Sequence, residues 1–151
     1  MDKALRIELL RRWLLVVFPG YLRYLSMLDK NRVWLDRFPL DRRTLVQRVL
    51  DEETAYCQRL ADELEALGEY PELASYPEDA GRLNYLEMAV ALQKTVERLE
   101  INVRRLSADR AEAAQDQALA ELLEDGIALL QRHIEELKPF ALQWSSNASA
   151  S

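Results

Sequence analysis

Apolar residues recur along this chain at alternating spacings of three and four. The clearest run is Val46, Leu50, Glu53, Cys57, Leu60, Leu64 and Leu67, in which a single carboxylate interrupts a greasy seam. That spacing belongs to a helix packed in a bundle. Pro39 precedes the run, Asp41 is placed to act as N-cap, and Gly68 stands where a C′ glycine should, so a helix is predicted over about Asp41 to Leu67. Before it, Asp2 to Trp34 carries Leu5, Leu9, Trp13, Leu14, Val16, Val17, Tyr21, Leu22, Leu25 and Leu28. These cover more than one stripe, as in a helix buried on several sides. Pro19 within this segment predicts a kink or break, because proline removes a backbone donor and clashes with the preceding turn. A third helix is expected over about Arg82 to Leu106, on the stripe Tyr85, Ala89, Leu92, Val96, Leu99, Val103 and Leu106. Leu83, Leu86, Val90 and Ile101 widen its arc, and Gln93 and Glu100 fall within it. A fourth is expected over about Ala111 to Phe140, on Leu119, Leu123, Ile127, Leu130, Ile134, Leu137 and Ala141, with His133 beside that seam.

The connections set the topology. Asp36 to Leu40 and Ser107 to Arg110 are short, and short links join antiparallel neighbours. Gly68 to Gly81 is different: it holds Pro71, Pro77, Tyr70 and Tyr76, and its roughly 13 residues reach about 40 Å when extended. A helix of about 27 residues is also about 40 Å long, so this link can run the length of the bundle and set the second and third helices parallel. The expected fold is all-α, a four-helix bundle with a crossover between helices 2 and 3. Residues 1–144 form one domain, and 145–151 a frayed, disordered tail.

Composition agrees. Of 151 residues, 49% are apolar and 30% charged, which suits one folded helical domain rather than a disordered chain. The net charge of −6 argues against nucleic acid as a partner. The basic cluster Arg98, Arg104 and Arg105 is interspersed with Glu97 and Glu100 and reads as a solvated face. A lone cysteine, Cys57, permits no internal disulfide and fits a cytoplasmic setting. The apolar run Trp13 to Phe18 after Arg11 and Arg12 is too short for a signal peptide, and no stretch approaches a membrane span. The sequon at Asn147 is discounted accordingly. Trp13, Trp34 and Trp144 are read as core or interface anchors.

The seam positions carry the candidate chemistry. An inward Glu53 is costly unless paired, protonated or metal-bound. Tyr56 follows one turn later, and His133, the only histidine, faces inward from the fourth helix. A carboxylate and an imidazole converging in a bundle core is how such folds build metal sites. Equally, Glu53 can pair with an arginine of a neighbouring helix, His133 can be a satisfied core histidine, and Cys57 a small buried hydrophobe. No glycine-rich phosphate loop, CxxC or HExxH is present.

These stretches resemble the ferritin-like superfamily, its bacterioferritin and rubrerythrin relatives in particular. The resemblance runs from about Leu14 to Leu137 and rests on Glu53-Thr54-Ala55-Tyr56, the stripe to Leu67-Gly68, and Glu121-Leu122-Leu123-Glu124. Gln131-Arg132-His133-Ile134-Glu135-Glu136 and the long crossover complete it. It implies a di-iron centre held by carboxylates and two histidines. Against that pattern Tyr56 replaces the histidine of helix 2, Leu130 the glutamate of helix 4, and helix 1 has Leu14, Val17 and Tyr21 at mid-height. Glu53 and His133 remain, with Glu97 or Glu100 as the acid of helix 3.

The resulting expectation is a non-catalytic ferritin-like interaction or scaffold protein that has lost the di-iron centre. It would use no cofactor and form a homodimer through its apolar first helix, or bind another protein, with no nucleic acid and no membrane involved. The alternative is a metal-dependent oxidoreductase or iron-handling protein with iron or manganese on Glu53, Tyr56, His133 and one of Glu97 or Glu100. A third reading is a core pocket for an apolar ligand oriented by Glu53 and His133.

Overall fold

The computed structural model describes residues 2–17, 20, 23, 39–71 and 88–150. Among these are four α-helices: α1 (Lys3–Val17), α2 (Leu40–Ala66), α3 (Met88–Glu112) and α4 (Gln117–Ala150). The expected kink at Pro19 lies outside the described residues, as do Trp34, Tyr76, Pro77, Leu83, Tyr85 and Leu86; the side chains of Ala89 and Trp144 do too. No helix among the described residues is long and apolar enough to cross a membrane.

Cross-helix contacts give each direction. Arg6 of α1 meets Glu63, and Trp13 lies beside Tyr56 at Gly126, so α1 and α2 are antiparallel. Arg6 also meets Asp116 at the start of α4, so α1 and α4 run together. The pairs Arg59–Asp125, Glu52–His133 and Arg48–Glu136 set α2 against α4. Arg110–Glu124 and Lys138–Glu100 set α3 against α4. Helices α2 and α3 are therefore parallel, and the connection between them joins opposite ends of the bundle, as the crossover-length link predicted.

The predicted seams are the core. Val46, Leu50, Glu53, Cys57, Leu60 and Leu64 of α2 are buried, as are Leu119, Leu123, Leu130, Leu137 and Ala141 of α4. On α3, Leu92, Val96, Leu99 and Leu106 are buried. The widened arc is corrected: Val90 and Ile101 are 36% and 41% exposed, and Ala91, Thr95, Asn102 and Asp109 are buried in their place. Thr95, Asn102 and Asp109 stand seven residues apart, interleaved with Leu92, Leu99 and Leu106, so the true stripe of α3 is a seven-residue repeat. On α1, Leu9, Leu10, Trp13, Leu14 and Val17 are buried and Leu5, Ile7 and Val16 pack against them. The wide apolar arc of this helix is thus largely consumed inside the bundle, with Leu15 left 46% exposed.

Helix ends show local chemistry at work. Gly68 has φ 81°, the Glu69 amide donates to Leu64 O and the Gly68 amide to Glu65 O. This Schellman closure is the one the C′ glycine predicted. The N-terminus of α2 differs: Pro39, not Asp41, is the capping residue, and no side chain caps it. Asp41 lies in the first turn, where its charge still complements the helix dipole. The break between α3 and α4 is also displaced, from Ser107–Arg110 to Ala113–Asp116. Ser107 satisfies its hydroxyl on Val103 O, and Asp109 is drawn into the core by Trp13, so the helix continues past both. Asp116 starts α4 by accepting the Leu119 amide at 3.1 Å while pairing with Arg6 at 2.5 Å. Helix α4 then runs to Ala150, across most of the stretch read as a tail.

Because Asp116 serves as both N-cap and ion-pair partner, Asp116→Ala should lower stability by about 1–2 kcal/mol. Asp116→Asn, which keeps a capping oxygen, should lose less. Urea denaturation of the two variants measures the difference, and equal losses would assign the effect to the Arg6 pair alone.

Candidate functional site

Helices α2 and α4 bring a carboxylate pair against an imidazole. Adjacent residues on a helix point about 100° apart, so Glu53 turns into the core while Glu52 lies on the α4 side of α2. His133 is fully buried between them. Its Nε2 lies 3.0 Å from Glu52 Oε2, and its Nδ1 lies 3.8 Å from Glu53 Oε1, beyond hydrogen-bond reach. With Nε2–H donating to Glu52, the Nδ1 atom has no hydrogen-bond partner.

Glu52 is the anchor of a charged layer. It accepts hydrogen bonds from Arg132, His133 and Arg48, and Arg48 reaches on to Glu136 at 2.7 Å. Burial alone raises the Glu52 pKa, but the hydrogen bonds from Arg132, His133 and Arg48 together outweigh it and bring the group down to about 2. A carboxyl held below its ordinary value of 4.5 contributes stability that is complete above about pH 4.5 and is lost as pH falls towards about 2. Glu52→Gln is accordingly expected to be less stable at neutral pH and to show a shallower acid decline across that window. Melting temperatures of both proteins through the window test this, and parallel curves would overturn it.

Glu53 is 6% exposed and faces the other way. It shares a cavity of about 20 Å³ with Val16, Val17, Gly20, Thr95, Arg98, Leu99, Asn102 and Leu130. Arg98, expected on a solvated face, lines this interior space; Arg104 and Arg105 are exposed as predicted. Among the described residues, the space beside Glu53 has no room for an organic ligand.

The other expected ligands are elsewhere. Tyr56 is buried, and its hydroxyl donates to Leu122 O at 2.9 Å; burial first of all raises its pKa. Glu97 is exposed and accepts from Gln93, and Glu100 is half-buried and lies 3.7 Å from Lys138. Neither is among the residues lining the Glu53 cavity. Burial pushes the Cys57 thiol up to about 12, so it is an inert core group rather than a nucleophile. Among the described residues, no cluster of three or more histidine, cysteine or acidic side chains has the arrangement of a metal site. The residues present do not fit the di-iron centre that the family resemblance implies: its tyrosine replacement is committed to a backbone carbonyl, and the helix 3 acids face other partners.

Sequence reasoning missed Glu52, Thr95 and Asn102. Glu52 sits one residue off the seam, and only its neighbour was read as inward. The two α3 residues carried a signal, their seven-residue spacing with Asp109, but Val96 and Val103 offered a more apolar stripe one position away. Compared with models of protein families, with curated proteins and with solved structures, the chain matches none.

Proposed function

We propose that this protein is a non-catalytic scaffold or interaction protein with ferritin-like architecture, in which the buried carboxylate–imidazole cluster holds helices together. The observation that carries this reading is the commitment of Tyr56, Glu97 and Glu100, among the candidate ligands, to protein partners, together with the arginines that hold Glu52 beside His133. Tyr56 donates to Leu122, Glu52 is held by Arg132 and Arg48, and Glu97 and Glu100 engage Gln93 and Lys138. Such a scaffold acts through its surface, and a second copy of the chain is the simplest partner. Exposed Leu15 on α1 and Val90 and Ile101 on α3 are the apolar positions it would cover. Light scattering coupled to size-exclusion chromatography should report a dimer; a strict monomer would remove the homodimer from the proposal.

A second reading, metal-dependent oxidation or iron handling, has one specific observation in its favour. His133 Nδ1 is buried, has no hydrogen-bond partner and lies 3.8 Å from Glu53 Oε1, so two potential donors face one another. Elemental analysis of untreated protein grown with iron and manganese separates the readings. The scaffold reading expects less than about a tenth of an ion per chain, because two protein donors hold metal weakly. Stoichiometric metal that Glu53→Ala or His133→Ala abolishes would overturn it.

A further inference from the structure

Helix α3 carries a second stripe, on the side away from its core seam. It runs through Lys94, Glu97, Ile101, Arg105 and Ala108, at spacings of three, four, four and three residues. At about 100° per residue, all five lie within about 40° of Ile101 around the helix. Glu97, Ile101, Arg105 and Ala108 are exposed, and Lys94 is half-buried. One turn further out on either side, exposed Val90 and Glu112 continue the line. Spacing of this kind belongs to a helix–helix seam, and here it stands on the outer surface of the bundle.

The positions of this stripe read the same from both ends, with Ile101 at the centre. The charges invert: Glu97 stands one turn before Ile101 and Arg105 one turn after. Such a stripe complements its own reversed copy. A two-fold interface sets residue i against j and j against i. Two α3 helices crossing antiparallel at Ile101 therefore place isoleucine on isoleucine, and Glu97 on Arg105 of the second copy, twice. Lys94 then lays its stem over Ala108 of the second copy and brings its ammonium towards that copy's Glu112. A parallel pairing would set Glu97 against Glu97 and Arg105 against Arg105, where like charges repel.

We propose that this outer stripe of α3 is where a second copy of the chain docks, antiparallel, about a two-fold axis through Ile101. The proposal rests on the homodimer reading above and names its surface. An exposed isoleucine and valine flanked by surface ion pairs make a weak interface, so the dimer forms at high protein concentration and loosens with added salt.

Sedimentation velocity over a concentration series up to about 1 mM tests it. Dimerisation is expected, weakened about tenfold or more by Glu97→Arg, because two-fold symmetry counts each reversal twice. Combining Glu97→Arg with Arg105→Glu exchanges the charges and should restore the parent affinity. Ile101→Cys should form an intermolecular disulfide on mild oxidation, since helices packed about 8–10 Å apart bring Cα atoms on the contact line within disulfide reach. Cys57 is buried and does not compete. Each substituted position is exposed, so the variants should fold, which circular dichroism checks. A double variant no tighter than Glu97→Arg alone would overturn the antiparallel pairing. A dimer indifferent to Glu97→Arg and not linked through Ile101→Cys would overturn this surface and leave the homodimer standing. A monomer at every concentration would overturn both.

Discussion

Gly126→Ala is expected to destabilise this protein by about 2–4 kcal/mol, although alanine is the better helix former by about 1 kcal/mol. Gly126 lies inside α4, where two core rings cross over it. A Cβ there would stand 2.7 Å from Trp13 Cζ3, 2.5 Å from Tyr56 Cζ and closer still to the Tyr56 hydroxyl. Neither ring can retreat cheaply. Trp13 is fully buried, and Tyr56 is held by its hydrogen bond to Leu122 O, on the same helix one turn away. Interiors packed to crystal density accept no such intrusion without off-rotamer side chains or helix displacement. For a domain of this size the loss corresponds to roughly 5–15 °C in melting temperature. Chemical denaturation followed by far-ultraviolet circular dichroism measures it. The cost should shrink by about 1 kcal/mol or more in a Tyr56→Leu background, because that substitution removes the ring atoms in the way. A Gly126→Ala protein as stable as the parent would mean that helix propensity wins and the close approach does not exist.

Trp13→Ala should be the most damaging single truncation, at about 4–5 kcal/mol, a large share of the 5–15 kcal/mol that holds a typical domain together. Two losses add. The indole is fully buried where α1 meets α3 and α4, so its removal leaves a cavity that rigid helices cannot close. The indole Nε1 also donates to Asp109 Oδ2 at 3.1 Å, and Asp109 is itself buried. Its other oxygen is paired with Arg12 at 2.5 Å, so truncation strips a buried carboxylate of one of two partners. Trp13→Phe separates the terms: it restores most of the volume but not the donor, and should cost about 2 kcal/mol. If Trp13→Phe and Trp13→Ala were equally unstable, the hydrogen bond rather than the packing would dominate.

These residues mark how far the amino-acid pattern reaches. The seams of α2 and α4 were legible because nearly every seam position is apolar and the three–four spacing admits one face. Glu53 and His133 were legible as inward-facing for the same reason. Gly68 was legible because a left-handed C′ residue is a local demand. The main α3 stripe was legible at Leu92, Val96, Leu99 and Leu106, but the flank that joins it in the core was not, since Thr95, Asn102 and Asp109 are polar and give no apolar signal. Thr95 is satisfied within its own helix by Ala91 O, whereas the burial of Asp109 depends on Trp13 and Arg12 of another helix.

By itself, the sequence determined that this chain is helical, where its helices pack, and that the α2–α3 connection is long enough to cross the bundle. These follow from periodicity, capping and chain reach, which are local. Tertiary structure decided which polar groups meet. It alone placed His133 between Glu52 and Glu53, gave Glu52 to two arginines, sent Glu97 and Glu100 to other partners, and set Tyr56 and Trp13 over Gly126. The reason is geometric. A helix fixes the angle at which each side chain leaves its axis, but the rotation and axial offset of its neighbours decide what that side chain touches, and those are set by the packing of all the helices at once.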